Sequence, residues 1–364
     1  MNDARPSRSV LVTGATGLVG SAVLSRLVAE PDLAIHVLVR PGRDASPPER
    51  LAALGRYLGR PDLADRVVVH AGDVALPRLG LGAQAAARLA ATTTDVIHAA
   101  AAVALDPDDP AVLAANVLGT RHVLELFAPH SRLFLVSTAY VAGLCPDVFR
   151  EADLDVGQAF RNAYERSKFD AERLVRAAYL GAAGSLTVCR PSIVVGEYAT
   201  GRALKLMNLY QMLRLLAGFA QRHPGAEFAL EHDPESTQNY IPVDCLAAMI
   251  HEVFTRPACW GQTYHMVNDR PVRNADFRAM LEAILPIRIV NRALTASDPA
   301  FNHAAVRRSR DYLAYLRAGP RFHCANRDRL SSAAAPMAFS QAFLERLLRF
   351  GTGPQGGRHA SVGL

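Results

Sequence analysis

The chain has 364 residues, half of them hydrophobic and a fifth charged, with a formal net charge of +6. That is enough for one large or two small domains with a full core, and its composition is ordinary for a globular enzyme. The basic residues are scattered and no aromatic–basic stripe occurs, so an anionic cofactor or substrate accounts for the charge better than nucleic acid does.

The five cysteines, Cys145, Cys189, Cys245, Cys259 and Cys324, are widely spaced, with no CxxC pair or Cys/His spacing suited to zinc. The expectation is reduced thiols in a cytoplasmic protein that holds no metal. No apolar segment precedes the first strand, and no run approaches the roughly 18 apolar residues that span a bilayer. Neither a signal peptide nor a membrane span is therefore expected.

Residues 10–20 (VLVTGATGLVG) run from a buried strand through Gly14, Gly17 and Gly20 into an amphipathic helix over 21–30. A glycine turn between a parallel strand and a helix N-terminus offers free N–H groups and the helix dipole to an anion. Thr13, Gly14, Ala15, Thr16, Gly17, Leu18, Val19 and Gly20 are the candidate dinucleotide cradle. In this motif the three glycines serve the turn, the approach of a pyrophosphate and the packing of helix on strand.

Further strands are expected at 34–40 (AIHVLVR), 66–73 (RVVVHAGD), 95–102 (DVIHAAAA), 132–138 (RLFLVST) and 186–196 (LTVCRPSIVVG). Helices are expected up to about Leu58 and over 113–126 and 164–179. This alternation predicts an α/β Rossmann-type, doubly wound parallel sheet. After Gly196 the rhythm changes. One apolar-faced helix spans 204–219, a short strand 227–231 (EFALE), and a polar loop leads into 240–244 (YIPVD). A helix over 245–254 follows, then mixed helix from about Pro271. The domains read as a nucleotide-binding core over 8–200, to which 239–268 returns, and a smaller mixed α/β substrate lobe over 201–350. Residues 351–364 are Gly-rich and read as a disordered tail.

Residues 164–168 (YERSK) put Tyr164 and Lys168 one helical turn apart on one face. A nearby ammonium favours the phenolate, so Lys168 is expected to lower the Tyr164 pKa and make it a usable proton donor. The strand at 132–138 ends in Ser137 and Thr138, at the sheet edge where doubly wound folds bind ligands. His98 reads as a packing residue rather than a base, and the 204–219 helix as core or the wall of a lipophilic pocket.

Glycine turn, strand-end Thr138 and Tyr164-x-x-x-Lys168 stand in the order of the short-chain dehydrogenase/reductase superfamily. The chain resembles its extended branch, and within it the thioester-reductase and fatty-acyl-reductase group. The latter likeness rests on 72–74 (GDV) with 77–81 (PRLGL), on 98–101 (HAAA) and on 136–143 (VSTAYVAG). Residues 116–120 (NVLGT), 190–196 (RPSIVVG) and 239–244 (NYIPVD) also fit the branch. The superfamily likeness covers roughly 9–265, and 271–364 match nothing nameable.

The resemblance implies Tyr164 as proton donor, Lys168 on the nicotinamide ribose, and Thr138 polarising the carbonyl. It places Asp73 and Val74 beside the adenine, Ala99 and Ala100 on the adenosine side, and Pro191, Ser192 and Ile193 at the nicotinamide. The second strand ends in Arg40 and, three residues on, Arg43, with no acid at its tip for a ribose 2′-OH. These two arginines suit a 2′-phosphate, which favours NADP(H) over NAD(H). The implied reaction is hydride transfer to a carbonyl, an acyl thioester going to aldehyde or alcohol, or the related aldehyde. The substrate is expected in trans as a small molecule or carrier-bound acyl group. The rivals are a 3β-hydroxysteroid or dihydroflavonol type dehydrogenase, an NAD-dependent sugar-nucleotide epimerase or dehydratase, and a non-catalytic NADP sensor. By the same resemblance, helices 113–126 and 164–179 would pair in a homodimer.

Overall fold

The structure is a computed structural model that describes residues 8–103, 110–182, 184–207, 209–317, 319–335 and 337–353. Its first half alternates strand and helix. β1 (Arg8–Thr13) leads into α1 (Leu18–Leu27), then β2 (Leu33–Val39), α2 (Pro47–Leu58), β3 (Val68–Ala71), α3 (Ala83–Thr92) and β4 (Asp95–His98). α4 (Pro110–Phe127), β5 (Arg132–Val136), β6 (Val148–Arg150), α5 (Ala163–Ala178), β7 (Leu186–Pro191) and β8 (Ile193–Val195) follow. β1 buries all its side chains but the first, as a strand covered by helices on both faces must. α2 starts on a capping box made by Ser46 and Glu49, and α5 on Asn162, whose side chain accepts from the Glu165 N–H at 2.9 Å.

The second half holds α6 (Leu209–Arg222), β9 (Glu227–Ala229), β10 (Thr237–Gln238), β11 (Tyr240–Pro242), α7 (Val243–Thr255) and β12 (Thr263–Met266). It ends with β13 (Val272–Arg273), α8 (Asn274–Ile284), β14 (Arg288–Val290), α9 (Ala300–Leu313), β15 (Arg321–His323) and α10 (Gln341–Thr352).

Seven strands form one parallel sheet in the order β12-β7-β5-β4-β1-β2-β3. The strand order reverses between β1 and β4, and ligands of doubly wound sheets bind at such a switch point. The glycine turn leaves β1 there and residues 99–103 leave β4 beside it. The late strand β12 closes one edge of the sheet, and α7 packs on α1.

Four expectations are corrected. The expected strand 186–196 is two strands that part at Ser192: β7 stays in the main sheet and β8 pairs with β11. The apolar helix begins at Leu209, not 204; Leu204, Lys205 and Met207 precede it in irregular backbone. Residues 321–335 and 337 do not stay in the lobe. β15 pairs with β6, Leu330 and Met337 join the core beneath the main sheet, and Ser331 and Ser332 bond Glu252 of α7. Gly351 and Thr352 are helical, within α10, and the rest of the expected tail, from 354 on, lies outside the described residues.

The lobe has its own core. α6 buries Leu213, Leu216 and Phe219 against Phe228, Leu281 and the α10 residues Phe343, Leu344 and Leu347. Its apolar stripe is therefore packing. No helix among the described residues is long and apolar enough to cross a membrane.

Candidate active site

The glycine turn is built to a tolerance of one hydrogen atom. Gly14 has φ +70°, and a Cβ there would stand 2.6 Å from the Ala100 nitrogen. A Cβ on Gly20 would stand 2.2 Å from the Gly14 carbonyl oxygen, whereas one on Gly17 would meet that oxygen at 3.1 Å. The Gly17 N–H closes the turn on the Gly14 carbonyl at 2.8 Å. Gly17, Leu18, Val19 and Gly20 form one wall of a cavity of about 310 Å³. Ala99, Thr138, Tyr164, Lys168, Pro191, Ser192 and Ile193 line the same cavity, so the expected catalytic and nicotinamide-side residues converge.

Other expected residues sit elsewhere. Thr13 is fully buried, and its hydroxyl lies 2.7 Å from His98 Nδ1 while accepting from the Ala100 N–H at 3.3 Å. His98 Nε2 lies 3.1 Å from the Thr120 hydroxyl, which donates to the Asn116 carbonyl. A neutral imidazole protonated at Nε2 satisfies this chain, and burial together with Lys168 holds His98 down at about 3. His98 is a packing residue, as expected. Ala15 is fully buried, and Val74 packs on Gly119 of α4.

Ser137 and Thr138 both line the cavity, but their hydroxyls have different partners. Ser137 Oγ donates to Glu172 at 2.8 Å. Thr138 lines the cavity and hydrogen-bonds the Tyr164 phenol. Lys168 Nζ donates to the Val136 carbonyl at 2.7 Å. The expected lowering of Tyr164 by Lys168 is not what the geometry gives. Burial pushes Tyr164 up to about 12, and the Thr138 hydroxyl is the group that works against that rise. Lys168 is itself brought down to about 8 by burial, with Glu172 one turn on opposing the fall. Glu172 stays ionised, held at about 2 by Arg190 and Arg176 and by Ser137 in spite of full burial.

Asn116 was visible in the sequence only as part of a helix. Its Oδ1 accepts from the Ala102 N–H at 2.7 Å, and its Nδ2 donates to the Ala102 carbonyl at 3.0 Å and to Ser167 Oγ at 2.8 Å. It thus ties the exit of β4 to the face of α5 between Tyr164 and Lys168.

At the tip of β2, Arg40 is exposed and lies 3.9 Å from Asp73. Two further cations, Arg50 and Lys205, stand with Arg40. Arg43 is exposed, whereas Arg50 of α2 is buried, donates to the Arg40 carbonyl at 2.6 Å and reaches Thr16 Oγ1 at 3.4 Å. Lys205, from the irregular segment before α6, lines the cavity. Burial and then its two neighbours, Arg50 and Arg40, depress its pKa. Among the described residues Arg50 Nε has no hydrogen-bond partner, nor has the buried Ser192 Oγ in the cavity wall. Three mutually repelling cations beside a glycine turn, with donors left over, suit an anionic dinucleotide. The residues present fit a nicotinamide cofactor.

A parallel Rossmann sheet of this strand order, with a glycine turn at its switch point and Thr138, Tyr164 and Lys168 on one cavity, defines an oxidoreductase of the extended short-chain dehydrogenase/reductase type. The family model described as Male sterility protein, an NAD-binding family, matches residues 12–250, and the chain belongs to that family. It is 32% identical over 312 residues to an isonitrile lipopeptide synthase of Streptomyces coeruleorubidus, covering 81% of this chain and 20% of that protein. It is 35% identical over 205 residues to peramine synthetase A of Epichloe festucae, covering 54% of this chain and 7% of that one. The chain thus spans a fifth or less of the length of these relatives. Among solved structures, the terminal R domain from the myxalamid PKS-NRPS biosynthetic pathway superposes with a TM-score of 0.76 at 25% identity, over 95% of this chain and 91% of that one. A UDP-glucose 4-epimerase of Bifidobacterium longum shares the fold, with a TM-score of 0.65 at 17% identity over 96% and 99% of the two chains.

Proposed function

We propose that the chain is an NADPH-dependent reductase of acyl thioesters, with Tyr164 as the proton donor. The observation that carries this reading is the convergence of Thr138, Tyr164 and Lys168 on one cavity whose cofactor end is flanked by Arg40, Arg50 and Lys205. Names of the relatives, synthetases and a terminal R domain, support a thioester presented on a carrier.

A bound reduced nicotinamide supplies hydride. Gly17 to Gly20 would hold its pyrophosphate, Lys168 its ribose and Ser192 its nicotinamide end, while Arg40, Arg50 and Lys205 would face a 2′-phosphate. The acyl oxygen would sit against Thr138 and Tyr164. As the carbonyl carbon gains hydride, its C=O π pair moves to oxygen, and Tyr164 Oη gives that oxygen a proton. With its pKa near 12, Tyr164 holds this proton throughout the working range and releases it only to an oxyanion. The resulting hemithioacetal breaks its C–S bond to give aldehyde and thiol, the thiolate leaving with the hydroxyl proton.

The test is NADPH and NADH oxidation by purified protein against an acyl thioester, the matching aldehyde, a steroid ketone and a UDP-sugar. NADPH-dependent aldehyde release from the thioester, reduced at least about a hundredfold by Tyr164→Phe, is the expected result. Turnover of the ketone alone would discard the thioester, and UDP-sugar conversion with no net cofactor use would discard the reductase.

A further inference from the structure

The cavity wall next to Thr138 and Tyr164 is aromatic, and its rings come from distant parts of the chain. Tyr140 follows Thr138 by two residues, Tyr312 belongs to α9, and Tyr315 lies in the helical turn after it. Tyr312 and Tyr315 stand in the stretch from 271 on, which resembles nothing nameable in sequence.

The hydroxyls of these tyrosines are engaged within the protein. Tyr312 Oη lies 2.6 Å from Tyr240 Oη. Tyr315 Oη accepts from Asn162 Nδ2 at 2.9 Å and bonds the Glu165 carboxyl, at the start of the helix that carries Tyr164. The Tyr140 hydroxyl bonds the Asn239 backbone. What Tyr312 and Tyr315 can offer a ligand is therefore ring surface rather than a polar tip.

The rings are also fixed. Tyr140 and Tyr315 meet edge to face with centroids 5.0 Å apart, and the Arg161 guanidinium lies 5.3 Å from the Tyr315 ring. Gln238 donates to the Tyr315 carbonyl, and Tyr240, behind Tyr312, packs on Phe339 at 4.7 Å.

A long alkyl chain would need an apolar channel, and α6 is the element that could have lined one. Its buried face is filled by α8, α9 and α10. Two cavities against it hold about 10 and 20 Å³, room for one water each, and share no wall residue with the 310 Å³ cavity. Leu18, Val19, Ile193 and Val194 line the cavity on its cofactor side, and among the described residues the aromatic part of its lining is Tyr164 with Tyr140, Tyr312 and Tyr315.

We infer that the acyl group is aromatic, of the benzoyl or cinnamoyl class, with its ring held against Tyr140, Tyr312 and Tyr315. This rests on the thioester-reductase reading for its reaction but not for its binding.

The experiment compares benzoyl, cinnamoyl, hexanoyl and dodecanoyl thioesters of one thiol, N-acetylcysteamine, with NADPH. Binding of benzyl alcohol and hexanol to the protein with NADP⁺ is measured alongside by saturation-transfer NMR. The aryl thioesters should exceed hexanoyl at least about tenfold in kcat/KM, with dodecanoyl slower still. Tyr315→Leu and Tyr312→Leu should each raise the aryl KM roughly threefold to tenfold, the worth of one aromatic pair. Tyr315→Phe, which keeps the ring, should preserve the aryl preference. Hexanoyl or dodecanoyl turnover equal to aryl, or an aryl-to-hexanoyl ratio untouched in both leucine variants, would overturn the inference and leave the thioester reading standing. Aryl aldehyde turnover without thioester turnover would remove that reading and keep the aryl class. With no turnover at all, hexanol binding as well as benzyl alcohol would still overturn it.

Discussion

Lys168 is the residue whose charge is most finely balanced. Its ammonium sits fully buried on the Val136 carbonyl, and burial brings it from an ordinary 10.5 to about 8. Tyr164, near 12, does not titrate in the working range. The ammonium is present below about 8 and lost above it, so kcat/KM should fall on an alkaline limb near pH 8 that belongs to the lysine. For stability the sign is opposite. The fold favours neutral Lys168, so this group's contribution rises with pH between about 8 and 10.5. Glu172 is the anion that supports the charge, so Glu172→Gln should move the limb to lower pH and Lys168→Arg should carry it beyond pH 10. Glu172→Gln also leaves buried Arg190 without its carboxylate, at a cost of about 3 kcal/mol in urea unfolding. A wild-type profile flat to pH 9.5 would mean that the lysine charge has no part in the reaction.

At the scale of one element, the β1–α1 turn makes an unequal demand on its glycines. At Gly20 a methyl would collide with the Gly14 carbonyl at 2.2 Å, backbone against backbone, so α1 must lift off β1. Gly20→Ala should cost about 1–3 kcal/mol or prevent folding. Gly17→Ala, at 3.1 Å, needs a shift of only a few tenths of an ångström and should fold, but hold NADPH more weakly. Thermal unfolding and fluorescence titration separate the two. A Gly20→Ala protein as stable as wild type would contradict this packing. This turn was legible because its pattern is local, glycines between an apolar run and a helix, and the same holds for Tyr164 and Lys168 one turn apart. Arg50 and Asn116 were not, since an arginine in α2 and an asparagine in α4 acquire their roles from strand ends far away in sequence. The start of α6 was misread for a related reason. Hydrophobic periodicity reports burial, and Leu204 is buried without being helical.

The whole molecule is joined where the cofactor would lie. Arg40 and Arg50 belong to the sheet and its flanking helix, but Lys205 comes from the segment that carries the chain into the lobe, two residues before Met207 in the same cavity wall. A phosphate among the three would relieve their repulsion and tether that segment to the core, which an unphosphorylated ribose could not do. Lys205→Met should therefore raise the Kd for NADPH roughly tenfold, the worth of one charged hydrogen bond, and leave that for NADH unchanged. Arg50→Met should do the same, while Arg43→Ala should alter neither. Reciprocity makes the effect run both ways: if phosphate sets the lobe segment, a non-reducible substrate analogue should bind more tightly with NADP⁺ than with NAD⁺, and Lys205→Met should erase that difference. Calorimetry of the analogue in the two cofactor complexes decides it. Equal affinities in both, alongside tight NADPH binding, would leave Lys205 as a phosphate ligand only and uncouple the lobe from the cofactor's choice.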